Sequence, residues 1–169
     1  MTAVNVVVEG DSDSGNARAV IQAAGHDVLK VVVRNGKSRL DPALVKYNRA
    51  ARLTPWVVFR DCDTQCPVGL RARLLAGIDV TPGFLLRVVH PMTEAWLLAD
   101  YERFASYFRV AETRIPSDPE DLQNPKTRVL TLCRSARDRR IREDVVRDDG
   151  RPGPLYAVRL NEFATDGAG

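Results

Sequence analysis

The chain has few of the residues that build zinc clusters, disulfide frameworks or membrane spans. Its three cysteines, Cys62, Cys66 and Cys133, are odd in number and widely placed. That argues against a disulfide framework and for a reducing compartment. Cys62 and Cys66 form half of a metal clip, but only His26 and His90 are available to complete it, so zinc is not expected. No apolar run approaches the ~20 residues that span a bilayer. The first residues run directly into a strand-like segment without a basic stretch, so no signal peptide is expected. Internal repeats and low-complexity tracts are also absent. A cytoplasmic protein without membrane contact is the expectation.

Lysine is scarce and arginine abundant, within a net charge of only +3. Arg134, Arg137, Arg139, Arg140 and Arg142 crowd one stretch, but Asp138, Glu143, Asp144, Asp148 and Asp149 nearly cancel them. That pattern reads as a solvated helix face. With 169 residues and 44% hydrophobic content, the chain can build a real core as one compact domain with a small appendage.

Four short apolar runs read as buried strands of a parallel sheet: Val4–Val8, Val28–Val33, Trp56–Arg60 and Phe84–Val89. Between them lie helical stretches: Asn16–Ala24, stopped by Gly25, then Asp41 to about Arg52, then Pro67 to Ala76, stopped by Gly77. Strands alternating with helices of about ten residues imply right-handed βαβ units. Met92 to Tyr107 and Lys126–Val146 each read as a single helix, separated by a Pro-, Asp- and Ser-rich connection over Ile115–Pro125. The tail Thr165–Gly169 is expected to fray. The expectation is an α/β domain over 1–110 with a mainly parallel four-stranded sheet, and a helical extension over 111–169 packed on it.

The chemistry sits at two strand ends. Val4–Val8 closes in Glu9-Gly10, and Trp56–Arg60 closes in Asp61-Cys62-Asp63. Ligands of open α/β sheets bind at that carboxyl edge. Side chains alternate along an extended segment, so Asp61 and Asp63 are expected on one side and Cys62 on the other. Three clustered carboxylates repel one another, and a hard divalent cation relieves that repulsion. Glu9, Asp61 and Asp63 are therefore expected to share one cation or a pair. Glu94, one turn into the helix after the fourth strand, is a candidate for a second ion, or simply complements the helix dipole. Lys37, Arg60 and Arg87 are candidate phosphate contacts. Arg60 could instead pair across the sheet. Lys126 could approach the site. His90 reads as a turn residue and Asp100 as structural.

Strand–Glu-Gly, two βα units and strand–Asp-x-Asp resemble the TOPRIM fold of topoisomerases, primases and OLD-type nucleases over about residues 4 to 100. Val8-Glu9-Gly10-Asp11-Ser12-Asp13 is similar to the OLD-like version, in which an acid follows the Glu-Gly; Asp13 matches that place. Asn35-Gly36-Lys37-Ser38-Arg39-Leu40 and the stretch from His90 through Glu94-Ala95-Trp96-Leu97-Leu98-Ala99-Asp100 resemble small stand-alone TOPRIM-like bacterial proteins, often linked with phage or mobile-element defence. The resemblance implies a Mg2+- or Mn2+-dependent nuclease, a hydrolase acting on DNA or RNA, with Glu9, Asp61 and Asp63 catalytic and Asp13 and Glu94 as further ligands. Two departures limit it. No tyrosine-bearing strand-passage domain accompanies the motif. Gly36-Lys37-Ser38 lacks the earlier glycine of a phosphate-binding loop. Two other readings stand beside this one. One is a non-catalytic metal-, nucleotide- or nucleic-acid-binding subunit working with a protein partner encoded nearby. The other is an inert relic of the fold.

Overall fold

A computed structural model describes residues 2–166. Four strands, β1 (Ala3–Val8), β2 (Asp27–Val33), β3 (Trp56–Asp61) and β4 (Phe84–Val89), form one sheet in the order β2-β1-β3-β4, and every pairing is parallel. Helix α1 (Ser14–Ala23) joins β1 to β2, and α2 (Lys37–Leu40) and α3 (Leu44–Ala50) lead on to β3. Helix α4 (Pro67–Leu75) joins β3 to β4. The sheet is fully parallel; the central β1 and β3 are almost wholly buried, while β2 at the edge is partly exposed.

Side-chain alternation sorts the core into two faces. Val4, Val6, Val8, Val57 and Phe59 pack with Ala17 and Ile21 of α1. Val7, Trp56, Val58 and Leu86 pack with Leu44 and Tyr47 of α3 on the opposite face. The chain steps from β1 outward to β2, then crosses back to place β3 on the other flank of β1. The winding direction therefore reverses between β1 and β3, and the carboxyl ends of those two strands border the crevice where such sheets take ligands.

After β4 the chain is helical: α5 (Thr93–Ala99), α6 (Tyr101–Phe108), α7 (Pro125–Arg134), α8 (Arg139–Val145) and α9 (Tyr156–Asp166). Leu97 and Leu98 of α5 and Phe104 and Phe108 of α6 share a third core with Val129, Leu132, Ile141, Leu160 and Phe163.

Several expected single helices are split. Met92–Tyr107 breaks at Asp100, whose ψ of 64° leaves helical space. The break lets Trp96 face the sheet while Phe104 and Phe108 turn to the third core. Lys126–Val146 breaks before Asp138, whose carboxylate accepts the Arg140 N–H at 2.8 Å and so starts a new helix. The stretch from Asp41 begins as a 3-10 turn over Asp41–Ala43, and helix already starts upstream at Lys37. Residues 11–13 likewise form a 3-10 turn ahead of α1. Thr165 and Asp166, expected to fray, belong to α9; the rest of that tail lies outside the described residues.

Candidate metal centre

Glu9, Asp13, Asp61, Asp63, Glu94 and Lys126 line one cleft of about 270 Å³ at the carboxyl edge. Each carboxylate arrives by a different local device. Glu9 follows the last residue of β1. The chain then turns back on itself: the Gly10 N–H donates to Asp13 Oδ2 at 2.7 Å, which swings Asp13 inward. Thr93 Oγ1, at the start of α5, donates to Asp13 Oδ1 at 2.7 Å. Glu94 enters from the same first turn and accepts a hydrogen bond from Tyr156 Oη at 2.8 Å.

Asp61 ends β3. Asp63 lies two residues on, with φ of 54°, so it has left the strand but still lines the cleft. Cys62 points away into the core, its Sγ 3.2 Å from His90 Nδ1. The loop after β2 closes the remaining side. Its Arg34 and Gly36 N–H groups donate to the Val8 and Glu9 carbonyls at 3.0 Å each, binding it to the end of β1. Gly36 turns the loop at φ of 111°, a conformation that favours glycine.

The candidate phosphate contacts separate. Lys37 does not line the cleft itself, but its Nζ lies 2.9 Å from Asp63 Oδ2, which does. Arg60 lies beneath the cleft, only 2% exposed, with Nε 2.9 Å from Asp41 Oδ1 and one guanidinium nitrogen 3.4 Å from Glu9 Oε2. It also donates to the Asp61 carbonyl. That geometry positions acids and leaves no approach for a phosphate. Arg87 is exposed in mid-β4, level with Phe59 and short of the strand end, and does not line the cleft. His90 and Asp100 also lie off the lining; Asp100 pairs with Arg103 at 3.4 Å.

Lys126, at the start of α7, lines the cleft with its Nζ 5.3 Å from the Tyr156 ring centre. Among the described residues it has no carboxylate at ion-pair distance, so it is free to meet an anion. Tyr156 was not expected at the site from sequence. The only available signal was the i, i+4, i+7, i+8 spacing of Tyr156, Leu160, Phe163 and Ala164, which marks a helix but not its destination.

The electrostatics are those of acids crowded out of water. Burial raises the Asp61 carboxyl to about 9, reinforced by Asp13, Glu94, Glu9 and Asp63. Burial also raises Glu9, against the pull of Arg60. It raises Asp13 and Glu94 too, despite the hydrogen bonds from Thr93 and Tyr156 that favour their ionised forms. A larger hollow of about 790 Å³ beside α8 has arginines interleaved with Glu143, Asp148 and Asp149, and shows no such imbalance.

The donor set is all hard oxygen, which suits Mg2+ or Mn2+. Glu9 Oε2 is buried without a hydrogen-bond partner, although the Arg60 guanidinium lies 3.4 Å from it. Among the described residues, however, no group of three or more acids, cysteines or histidines is arranged tightly enough to hold an ion. The residues thus fit an ion carried by one or two carboxylates and completed by water and phosphate, which is the usual manner of Mg2+, but not a preformed three-carboxylate cage. No described helix is long and apolar enough to cross a membrane. Comparisons of the chain with protein-family models, with curated proteins and with solved structures find no match.

Proposed function

We propose that the chain is a TOPRIM-type, Mg2+- or Mn2+-dependent phosphodiesterase acting on DNA or RNA. The observation that carries this reading is the meeting of Glu9, Asp13, Asp61, Asp63 and Glu94 in one cleft at the β1/β3 reversal, with Lys126 free beside them. A divalent ion bound there would polarise a phosphoryl oxygen and supply a nucleophilic water. The chain's own residues do the rest. Arg60 fixes Glu9 and the Asp61 backbone from below. Thr93 and Gly10 orient Asp13, and Tyr156 orients Glu94. Lys126 presents the cation that a phosphate oxygen needs on the open side. Lys37 neutralises Asp63 until an ion or phosphate competes for either group.

The test is incubation of the protein with single- and double-stranded DNA and RNA in Mg2+, in Mn2+ and in EDTA. Metal-dependent cleavage supports the reading. No cleavage of any of these substrates counts against it.

The absence of a closed three-carboxylate cage among the described residues favours a second reading: a metal- and nucleic-acid- or nucleotide-binding subunit that works with a partner protein. Metal-dependent binding without cleavage distinguishes it. A role in phage or mobile-element defence belongs to either reading, and the genomic neighbours discriminate it from repair.

A further inference from the structure

The C-terminal helix braces the cleft from behind at two points. At its start, Tyr156, 4% exposed, donates to Glu94 Oε1 at 2.8 Å. One and a half turns later, Asn161 grips the turn that delivers Asp13. Its Oδ1 accepts the Gly15 N–H at 2.7 Å, and its Nδ2 donates to the Asp11 carbonyl at 3.0 Å. The fit is close: a Cβ on Gly15 would lie 2.6 Å from Asn161 Cα. A further bond, from Asn16 Nδ2 to the Thr93 carbonyl at 3.3 Å, ties the Asp13 turn to the first turn of α5, which bears Glu94. Two carboxylates from distant parts of the chain are thus both held by one helix.

We propose that α9 is a positioning element of the metal centre, acting on Glu94 through Tyr156 and on Asp13 through Asn161. This rests on the reading of the cleft as a metal site. It makes the C-terminal helices part of the centre and assigns roles to two residues that do not themselves contact the ion. Partners that orient a ligand from behind typically change metal affinity 10- to 100-fold when removed.

The test is Mn2+ binding by calorimetry in the absence of nucleic acid, on the wild type, Tyr156→Phe, Asn161→Ala, Glu94→Gln and the Tyr156→Phe/Glu94→Gln double variant. Tyr156→Phe keeps the ring and its packing, so its melting temperature should stay within a few degrees while Mn2+ affinity falls about tenfold. Asn161→Ala, at a half-exposed position, should weaken binding in the same direction and remains informative if Tyr156→Phe folds poorly. The double variant should lose no more than Glu94→Gln alone, because Tyr156 acts through Glu94. Wild-type affinity in both Tyr156→Phe and Asn161→Ala overturns the inference while leaving the metal site standing. A double variant weaker than Glu94→Gln by the full factor also overturns it. A wild type that binds no Mn2+ even with a short oligonucleotide present to supply phosphate overturns the inference and the metal reading together.

Discussion

Arg60 Nε lies 2.9 Å from Asp41 Oδ1, and the same guanidinium reaches Glu9 Oε2 at 3.4 Å. A side chain from mid-sheet thus joins the turn after α2 to the end of β1, directly beneath the acid cleft. Burial works against its charge, but the hydrogen bond to Asp41 and the charges of Glu9, Asp41 and Asp63 outweigh it, so the guanidinium stays protonated.

Removing one partner of a buried, hydrogen-bonded ion pair is strongly destabilising, because the other partners are left short of charge. Arg60→Met should therefore cost about 3 kcal/mol in urea unfolding. Asp41→Asn keeps an acceptor and should cost about 1 kcal/mol. Equal, negligible effects from both would show that Arg60 is not the support it is described to be.

Lys37 and Asp63 pair at 2.9 Å, but the lysine side chain is 56% exposed. Exposed pairs contribute about 0–1 kcal/mol. Lys37→Met should leave the melting temperature nearly unchanged and, by freeing Asp63, should raise Mn2+ affinity or leave it as it was. A large loss of stability would assign Lys37 a structural role instead.

The cleft acids set a pH dependence with a definite sign. The Asp61 carboxyl rises from an ordinary 3.8 to about 9 on folding, and Glu9, Asp13 and Glu94 shift in the same direction. Between those limits the folded state binds more protons than the unfolded chain, so stability is lost as pH rises. In EDTA the melting temperature should fall from pH 5 toward pH 9. Asp61→Asn should flatten that slope, and saturating Mg2+ should oppose it. A melting temperature that climbs over this range would contradict the description of the cleft.

Gly15 has no room for a side chain against Asn161. Gly15→Ala should push α9 from α1 and cost about 2 kcal/mol, as overpacking does. Gly77→Ala, where nothing lies within 4 Å of the added Cβ, is the control for general glycine effects at a strained φ of 73°. A harmless Gly15→Ala would mean that α9 is loosely seated.

The sheet was legible because its signals are local. Runs such as Val4–Val8 and Phe84–Val89 are short and mostly apolar, and their strand bounds came within about two residues. Glu9, Asp61 and Asp63 were legible as edge residues because strand ends have a direction. The helix breaks at Asp100 and before Asp138 were not legible. Both stretches keep helical periodicity through the break; at Asp100 the chain turns from the sheet-facing Trp96 to the third core, and before Asp138 a new cap restarts the helix against the same core. Arg60 read as a candidate phosphate contact because composition says nothing of depth; its burial follows from sitting one residue inside the strand end, over Asp41. Tyr156 meets Glu94, and Asn161 the turn beside Asp13, through contacts spanning 62 and 146 residues, which no local pattern encodes.

The most direct test of the account is the paired behaviour of Asp61→Asn, a nearly isosteric change that removes one acid from the crowded cleft. In metal-free buffer, the amide removes the cost of keeping an acid in this buried site, set first by burial and then by the charges of Asp13, Glu94, Glu9 and Asp63, so the melting temperature should be equal or higher. In Mg2+ or Mn2+, cleavage of nucleic acid by the wild type should be lost in the variant. A large fall in metal-free stability, or full cleavage by Asp61→Asn, would contradict the account.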